Sequence, residues 1–280
     1  MQEGKFSRTA HRVAIRRAAH QLLDQPRVLD DPLALRIIGS EAAESLRSNP
    51  KEDHGFARAF RAFMAARSRY AEDELARAVA QGVTQYVILG AGLDTFGLRN
   101  PHREAGLRVF EVDHPKTQEW KRARIGEAGL SAEAGRFAPV DFERQNFFDE
   151  LAKAGFNPNA PAFFLWLGVV PYLTGEAIAS TLAALARARA EVVFDYGEPV
   201  DSFHGPRRAY MEAFRARVAA LGEPVLTALR PAETAALLRN AGFERFDDLG
   251  PHELALYLGG SSPPAPGAPG GHVVHAISTS

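Results

Sequence analysis

The chain contains no cysteine, only two tryptophans and three methionines. The missing thiols exclude disulfide bonds, thiolate catalysis and cysteine-ligated metals. A transmembrane helix needs about 20 consecutive apolar residues, and no stretch of this sequence approaches that length. The N-terminal segment is basic but lacks the apolar core and the small-residue cleavage site of a signal peptide. We therefore expect a cytoplasmic protein with no membrane partner.

A surplus of charge of one sign is also missing. The chain has 33 basic and 34 acidic residues, which leave a formal net charge of -1 over 280 residues. Domains that bind nucleic acid usually carry a basic surplus, so the balance argues against nucleic acid as a partner. The histidines show no metal-ligand spacing, and we expect no metal. The 46% of hydrophobic residues is typical of a globular protein.

The first part of the chain has the pattern of helices. Residues 7–80 are rich in Ala, Arg and Leu, with breaks where Pro and Gly cluster. Within this segment, Ala14, Arg17 and Ala18 belong to the mixed face of an amphipathic helix that would lie across a sheet or a pocket. We expect residues 1–80 to form a helical cap or lid.

From residue 85 onward, short β-branched or aromatic runs alternate with segments that suit helices. Near-continuous apolar strands between helices indicate a mostly parallel sheet that is covered on both faces. The predicted strands are 85–90, 107–113, 136–142, 161–168, 190–197 and a last one near 272–279. A further helix and strand lie near 230–250, with Gly242 as the helix stop. The sequence thus predicts an α/β fold whose core, residues 81–280, is one globular unit.

The first predicted strand leads into the loop LGAGLDTFG. Gly90 and Gly92, with Ala91 between them, would let the chain turn sharply and approach a ligand closely. The dinucleotide pattern G-x-G-x-x-G requires a third glycine where this chain has Thr95. Asp94 beside it would repel a pyrophosphate group. The loop therefore favours a nucleoside that carries positive charge, as S-adenosylmethionine does.

Further contacts to this cofactor are predicted around the next two strands and before the first. Asp113 ends the second strand, where a carboxylate accepts hydrogen bonds from a ribose diol. Asp141 ends the third strand and would accept from the adenine amino group, while Phe142 offers the ring an apolar surface. Arg67 or Arg69, just before the first strand, would bind the carboxylate of the methionine end as a two-point fork.

These residues resemble the leucine carboxyl methyltransferase family, which includes many bacterial S-adenosylmethionine-dependent O-methyltransferases. The resemblance rests on SRTAHRVAIRRAAHQLLDQPRVLDDPLALRIIG, AARSRYAEDELARAV, QYVILGAGLDTFGLR, FEVDHPKTQEWKRARI and VDF, and covers most of the chain. It implies a Rossmann-like, class I methyltransferase sheet with an N-terminal helical extension over the cofactor. It also favours Arg67 over Arg69 as the carboxylate ligand. Leu167 stands where many members have a glutamate, so that contact is absent.

The resulting hypothesis is an S-adenosylmethionine-dependent O-methyltransferase of secondary metabolism. Its acceptor would be a carboxylate or hydroxyl of a small, hydrophobic or aromatic molecule. A carboxylate is ionised at neutral pH and needs no general base, whereas a hydroxyl would need one. His204 and Tyr172 are the candidates for catalysis, and Asp195 and Tyr196 would face the same rim of the sheet.

Other interpretations remain open at this point. Phe56, Phe60 and Phe63 recur at helical spacing, either as a stripe in the core or as an apolar wall of the acceptor pocket. The whole chain could instead be an NAD(P)-dependent oxidoreductase, which Asp94 and Thr95 argue against. A third interpretation is a protein that binds S-adenosylmethionine without catalysis, with Leu167 as the sign of a lost active site.

Overall fold

The computed structural model describes residues 8–48, 55–131, 135–142, 145–220, 222–260 and 262–278. The chain divides into two compact units, Glu3–Ala160 and Pro161–Ser280. The helical segment before residue 80 belongs to the first unit, together with the strands that follow it. The division into a cap and a core at residue 80 stays a prediction.

The first unit begins with helices α1 (Arg8–Leu23), α2 (Ala34–Ile37), α3 (Ser40–Ser48) and α4 (Gly55–Ala80). Its strands are β1 (Gln85–Leu89), β2 (Arg108–Asp113) and β3 (Arg136–Pro139), which pair in parallel in the order β3-β2-β1. Helices α5 (Phe96–Arg99), α6 (Pro115–Glu127) and α7 (Phe147–Lys153) alternate with them. All residues of β1 are buried, as an apolar run inside a parallel sheet requires.

The helices of this unit pack through small side chains. Ala14, Ala18 and Ala19 of α1 are at most 4% exposed and belong to one apolar cluster with residues of α2 and α3. The same cluster includes Leu93 of the glycine loop and Ile125 of α6. The helical layer therefore lies directly against the loop that follows β1.

The second unit contains β4 (Ala162–Trp166), α8 (Gly175–Arg187), β5 (Glu191–Gly197), α9 (Gly205–Ala220), α10 (Pro231–Ala241), β6 (Phe243–Leu249), α11 (Pro251–Tyr257) and β7 (Gly271–Ser278). β4 and β5 are parallel, and β7 runs antiparallel between β5 and β6. Gly242 ends α10 with a φ of 102°, which confirms the predicted helix stop. No helix within the described ranges is long and apolar enough to cross a membrane.

The end of the third strand differs most from its sequence expectation. The third strand was expected to extend to residue 142, but β3 ends at Pro139, which pairs with Asp113. Proline has no N–H group to donate to a sheet, so it often marks the end of a ladder. Asp141 and Phe142 consequently lie in the loop after the strand.

A buried ion pair joins α6 to β2. The Nζ atom of Lys121 lies 2.5 Å from Oε2 of Glu111, and both side chains are about 1% exposed. Burial raises the pKa of the Glu111 carboxyl group, and the neighbouring Lys121 opposes that rise. Gln118 also donates to the backbone carbonyl of Glu111 at 2.7 Å. These contacts fix α6 on the strand that carries Asp113.

Replacing Lys121 by Met should lower the free energy of unfolding by about 3–5 kcal/mol, because Glu111 would lose the cation that balances its buried charge. Urea unfolding of the purified chain measures this loss. The matched control is Lys116→Met on the same helix, which breaks an exposed pair with Glu119 and should cost about 0–1 kcal/mol. Equal losses in the two variants would contradict a structural role for the buried pair.

Candidate functional site

The chain turns sharply where β1 ends. Gly90 and Gly92 have φ angles of 69° and 48°, in the left-handed region that favours glycine. The N–H groups of Gly90 and Ala91 donate to the carbonyl of Val112 in β2, at 2.8 and 3.1 Å. A Cβ atom on Gly92 would lie 2.9 Å from the Cβ atom of Ala10 in α1. The loop therefore has no room for a side chain at Gly92.

Asp113 ends β2 beside this loop. Its Oδ2 accepts from the N–H of Gly92 at 2.6 Å, and its Oδ1 accepts from the N–H of His114 at 2.7 Å. Burial raises the pKa of the carboxyl group, and these backbone donors oppose the rise. Each carboxylate oxygen has more than one acceptor site, so hydrogen bonds from a ribose diol remain possible. The structure joins Gly92 and Asp113 directly, while the ribose contact stays a prediction.

Asp141 and Phe142 follow the neighbouring strand end. The N–H of Val140 donates to the carbonyl of Asp113 at 2.9 Å, which places the two strand ends side by side. Asp141 is half-buried, and its N–H donates to Oε1 of Gln145 at 2.9 Å. Phe142 is 46% exposed, unusual for a large apolar ring. An exposed ring at this position suits stacking on a planar base, which is the predicted role.

The two candidate arginines differ clearly in their surroundings. Arg67 is 4% exposed on α4, and its Cζ lies 5.8 Å from the ring centroid of Phe63. Arg69 is exposed and pairs with Asp73 on the same helix, Nε to Oδ2 at 2.8 Å. An exposed pair of this kind is a solvated helix feature of small energetic value. Arg69 is thus already paired at the surface, and the role of Arg67 in binding the cofactor's carboxylate stays a prediction.

The negative charge of Asp94 is balanced by a cation of the protein itself. Arg17 of α1 donates to its Oδ2, and its Oδ1 accepts from the N–H of Phe96 at 2.7 Å. Burial alone would raise the pKa of Asp94, but Arg17 and further cations lower it to about 2. The charge that was expected to repel a pyrophosphate is thus largely cancelled by Arg17. A direct contact of Asp94 with the cofactor stays a prediction.

A wider polar network surrounds this ion pair, and the sequence analysis did not identify it. Arg17 also donates to Oδ2 of Asp31 at 2.9 Å, and the Thr95 hydroxyl donates to the same carboxylate at 2.7 Å. Arg99 of α5 donates to Oε2 of Glu72 in α4 at 2.9 Å. Two signals were present: Arg17 on the mixed face of α1, and a hydroxyl at the place of the third glycine.

Comparison with known proteins places this geometry in a family. A family model described as leucine carboxyl methyltransferase matches residues 10–186, which is more than half of the chain. The chain belongs to this family. YktD of Bacillus subtilis, provisionally named as an S-adenosyl-L-methionine-dependent methyltransferase, is 32% identical over 279 residues and covers 91% of each chain. A Saccharopolyspora erythraea protein with the same provisional name is 35% identical, over 63% of this chain and 61% of its own.

Among solved structures, a provisionally named methyltransferase from Thermobifida fusca YX shares the fold. It is 17% identical, covers 96% of this chain and 94% of its own, and gives a TM-score of 0.57. The predicted Rossmann-like methyltransferase fold is thereby confirmed. The chain is an S-adenosylmethionine-dependent methyltransferase, which removes the oxidoreductase alternative.

The predicted cofactor-binding residues have groups that suit S-adenosylmethionine chemically. Gly90 and Gly92 expose backbone without Cβ atoms, and Asp113 provides acceptors for a diol. Arg67 provides a buried cation for a carboxylate, and Phe142 an exposed ring for a base. The donor set thus matches each end of the cofactor: the adenosine part and the amino-acid part.

The catalytic candidates lie in the second unit. Tyr172 ends a 3-10 turn, Val170–Tyr172, and is half-buried, while His204 is exposed immediately before α9. Asp195 is 4% exposed and accepts from the N–H of Gly168 at 2.5 Å, so it supports the turn after β4. Catalytic roles of Tyr172 and His204 stay predictions.

A buried cluster of titratable side chains lies where β5 ends and β7 begins. The Tyr196 hydroxyl donates to Oδ2 of Asp248 at 2.6 Å, and its ring stacks on His272 with centroids 4.7 Å apart. Nδ1 of His272 lies 2.9 Å from Asp248, and Nε2 lies 3.2 Å from Glu198. Glu198 also accepts from the N–H of Gly270 at 3.0 Å. Both imidazole nitrogens can donate only when the ring is protonated.

The His272 cluster predicts a fall in stability as pH rises. Burial alone would lower the pKa of His272, but Asp248 and then Glu198 raise it above the ordinary value of 6.5. The stabilisation is therefore complete below about pH 6.5 and is lost as pH rises through the folded-state pKa. The free energy of unfolding, measured between about pH 6 and about pH 9, should fall less in His272→Gln than in the wild type.

The control for this experiment is His204→Gln, which changes an exposed histidine of the same unit. It should keep the wild-type dependence of stability on pH. If His272→Gln and the wild type lose stability in parallel over this range, the charged contacts of His272 do not form in solution.

Asp113→Ala should weaken binding of S-adenosylhomocysteine by about 1–3 kcal/mol, because hydrogen bonds to a charged acceptor are lost. Titration calorimetry measures the affinity. Asp149→Ala, an exposed residue in the first turn of α7, is the control and should bind like the wild type. Unchanged affinity in Asp113→Ala would rule out its assignment to the ribose.

Proposed function

We propose that this methyltransferase transfers the methyl group to an oxygen atom, a carboxylate or a hydroxyl, of a small hydrophobic or aromatic metabolite. The observation that carries the proposal is a row of aromatic side chains on α4 that leads to Arg67. Phe56, Phe60, Phe63 and Arg67 are spaced by four, three and four residues, so they share one face of the helix.

The exposure of this row favours a pocket wall over a core stripe. All three rings are half-buried, and none reaches the burial of the strand residues in the core. Phe56 and Phe60 stack with their ring centroids 6.0 Å apart. The Cζ of Arg16 lies 4.9 Å from the centroid of Phe60. A wall of rings with guanidinium groups on its faces suits an apolar or aromatic acceptor that carries an acidic group.

The residues around the row would have different roles in the reaction. The cofactor supplies an electrophilic methyl group on a sulfonium. Arg67 would hold the amino-acid end, and the phenylalanine row would align the acceptor beside that end and exclude water. A carboxylate acceptor needs no proton removed, whereas a hydroxyl would require a base such as His204 or Tyr172. Leu167, in place of an acidic residue, removes one possible polar contact.

The proposal includes the type of partner and the cellular location of the enzyme. A partly exposed aromatic wall favours a small metabolite over a nucleic acid or a membrane surface as the partner. The absence of cysteine is compatible with the cytoplasm, which is the location that we propose for the enzyme. We expect its place to be in secondary metabolism, where hydrophobic acids and phenols are methylated.

The test is a methyl-transfer assay with hydrophobic carboxylic acids, phenols and amines of matched size. We expect S-adenosylhomocysteine to form with the acids or phenols, and mass spectrometry to show methyl esters or ethers. Phe60→Ala should raise the KM for the acceptor by about tenfold, because stacking on the ring is lost. Its affinity for S-adenosylhomocysteine should not change.

Phe148→Ala in α7 serves as the control, since it removes a half-buried ring from another helix of the same unit. Methylation of amines alone would contradict the proposed oxygen specificity. Transfer to none of these acceptors would contradict the proposed class of acceptor.

A further inference from the structure

Helix α1 contacts the glycine loop at two points on one of its faces. Ala10 lies against Gly92, and Arg17 pairs with Asp94. Residues seven apart in a helix lie nearly above one another, so both contacts come from the same side of α1. The helix therefore lies against the loop, and the Arg17–Asp94 ion pair connects the two.

The ion pair is buried among further charged groups. Arg17 is 7% exposed and lies between two carboxylates, those of Asp94 and Asp31. The hydroxyl of Thr95 also donates to Asp31, which is 1% exposed. The planar fork of arginine can reach two carboxylates at once, whereas a lysine ammonium cannot match that geometry. Arg17 is thus a cation that both buried aspartates share, and Arg99 lies near Asp31 as well, Nε to Oδ1 at 3.8 Å.

Asp94 connects Arg17 to the backbone that follows the loop. Its second carboxylate oxygen accepts from the N–H of Phe96, the first residue of α5. On the other side of the loop, the N–H of Gly92 is directed at Asp113, the predicted ribose ligand. The loop is therefore fixed between the helix above it and the strand beside it.

We propose that Arg17 is a positioning residue for cofactor binding: its pairing with Asp94 holds α1 closed over the glycine loop, and this closed arrangement binds the cofactor tightly. Without Arg17, the carboxylates of Asp94 and Asp31 repel each other and lose the cation that both of them contact, so the closed arrangement becomes less populated. The apparent affinity for the cofactor falls in proportion to the closed fraction. The proposal rests on S-adenosylmethionine as the cofactor and is independent of the acceptor.

A second buried arginine of the same unit provides the matched control. Arg61 of α4 is 0% exposed and binds Asp24 in two-point fashion, Nε to Oδ2 at 2.8 Å and Nη2 to Oδ1 at 2.6 Å. Its partner Asp24 directly follows α1 and is not part of the glycine loop. Arg61→Gln therefore removes a buried arginine from an ion pair without touching the Arg17–Asp94 pair.

The experiment compares the full chain with Arg17→Gln, Arg17→Lys and Arg61→Gln. Calorimetry measures the Kd of S-adenosylhomocysteine, and hydrogen exchange measures the protection of α1 with and without that ligand. We expect Arg17→Gln to raise the Kd by about tenfold to a hundredfold. S-adenosylhomocysteine should slow exchange in α1 of the wild type and of Arg61→Gln, but much less in Arg17→Gln.

Arg17→Lys keeps a cation and decides the question if Arg17→Gln does not fold. Because lysine loses the fork, we expect its Kd to rise by at least about threefold while the thermal midpoint stays near that of Arg61→Gln. A rise of less than about threefold in the Kd of Arg17→Lys would overturn the proposal. An equal rise of the Kd in Arg61→Gln would also overturn it, because the role would then be general stability.

The outcome also separates this proposal from the cofactor assignment. Wild-type protein that binds no S-adenosylhomocysteine would contradict the assignment of the cofactor and the proposal with it. Normal binding by the wild type with unchanged binding by both Arg17 variants would contradict the proposal alone.

Discussion

The turn after β1 is the constraint on which the rest of the site depends. The chain must leave a fully buried strand and reverse within a few residues, under a helix that lies too close for a side chain. Gly90 and Gly92 meet that requirement with left-handed backbone conformations. The amides freed by the turn are directed at β2, one of them at the carboxylate of Asp113. The positions of the loop, of the neighbouring strand end and of α1 therefore depend on one another.

Charge balance gives the acidic residues near this turn different functions. Asp94 and Glu111 are matched by cations from neighbouring helices, Arg17 and Lys121, and so contribute to the architecture. Asp113 receives backbone N–H groups instead, which leaves it acceptor capacity toward a ligand. Asp113, the predicted ribose ligand, and Asp94 thus differ in their partners, and only the structure shows those partners.

The sequence pattern was sufficient for the elements whose signal is local. Apolar runs located the strands, a glycine marked the end of α10 at Gly242, and LGAGLDT with FEVDHP indicated the family that the comparisons establish. Contacts between distant residues were not predictable in this way. Arg17 and Asp94 are 77 positions apart, and His272 and Glu198 are 74 apart, so no periodicity connects them. Each pair forms only because packing brings two elements together.

The central claim is that the loop between β1 and α5, with Asp113 and Arg67, forms the S-adenosylmethionine site. The most direct measurement is a crystal structure of the chain with S-adenosylhomocysteine bound. We expect the ribose hydroxyls within hydrogen-bond distance of Asp113, the amino-acid carboxylate on Arg67 and the adenine beside Phe142. A ligand that contacts neither Asp113 nor Arg67 would contradict it.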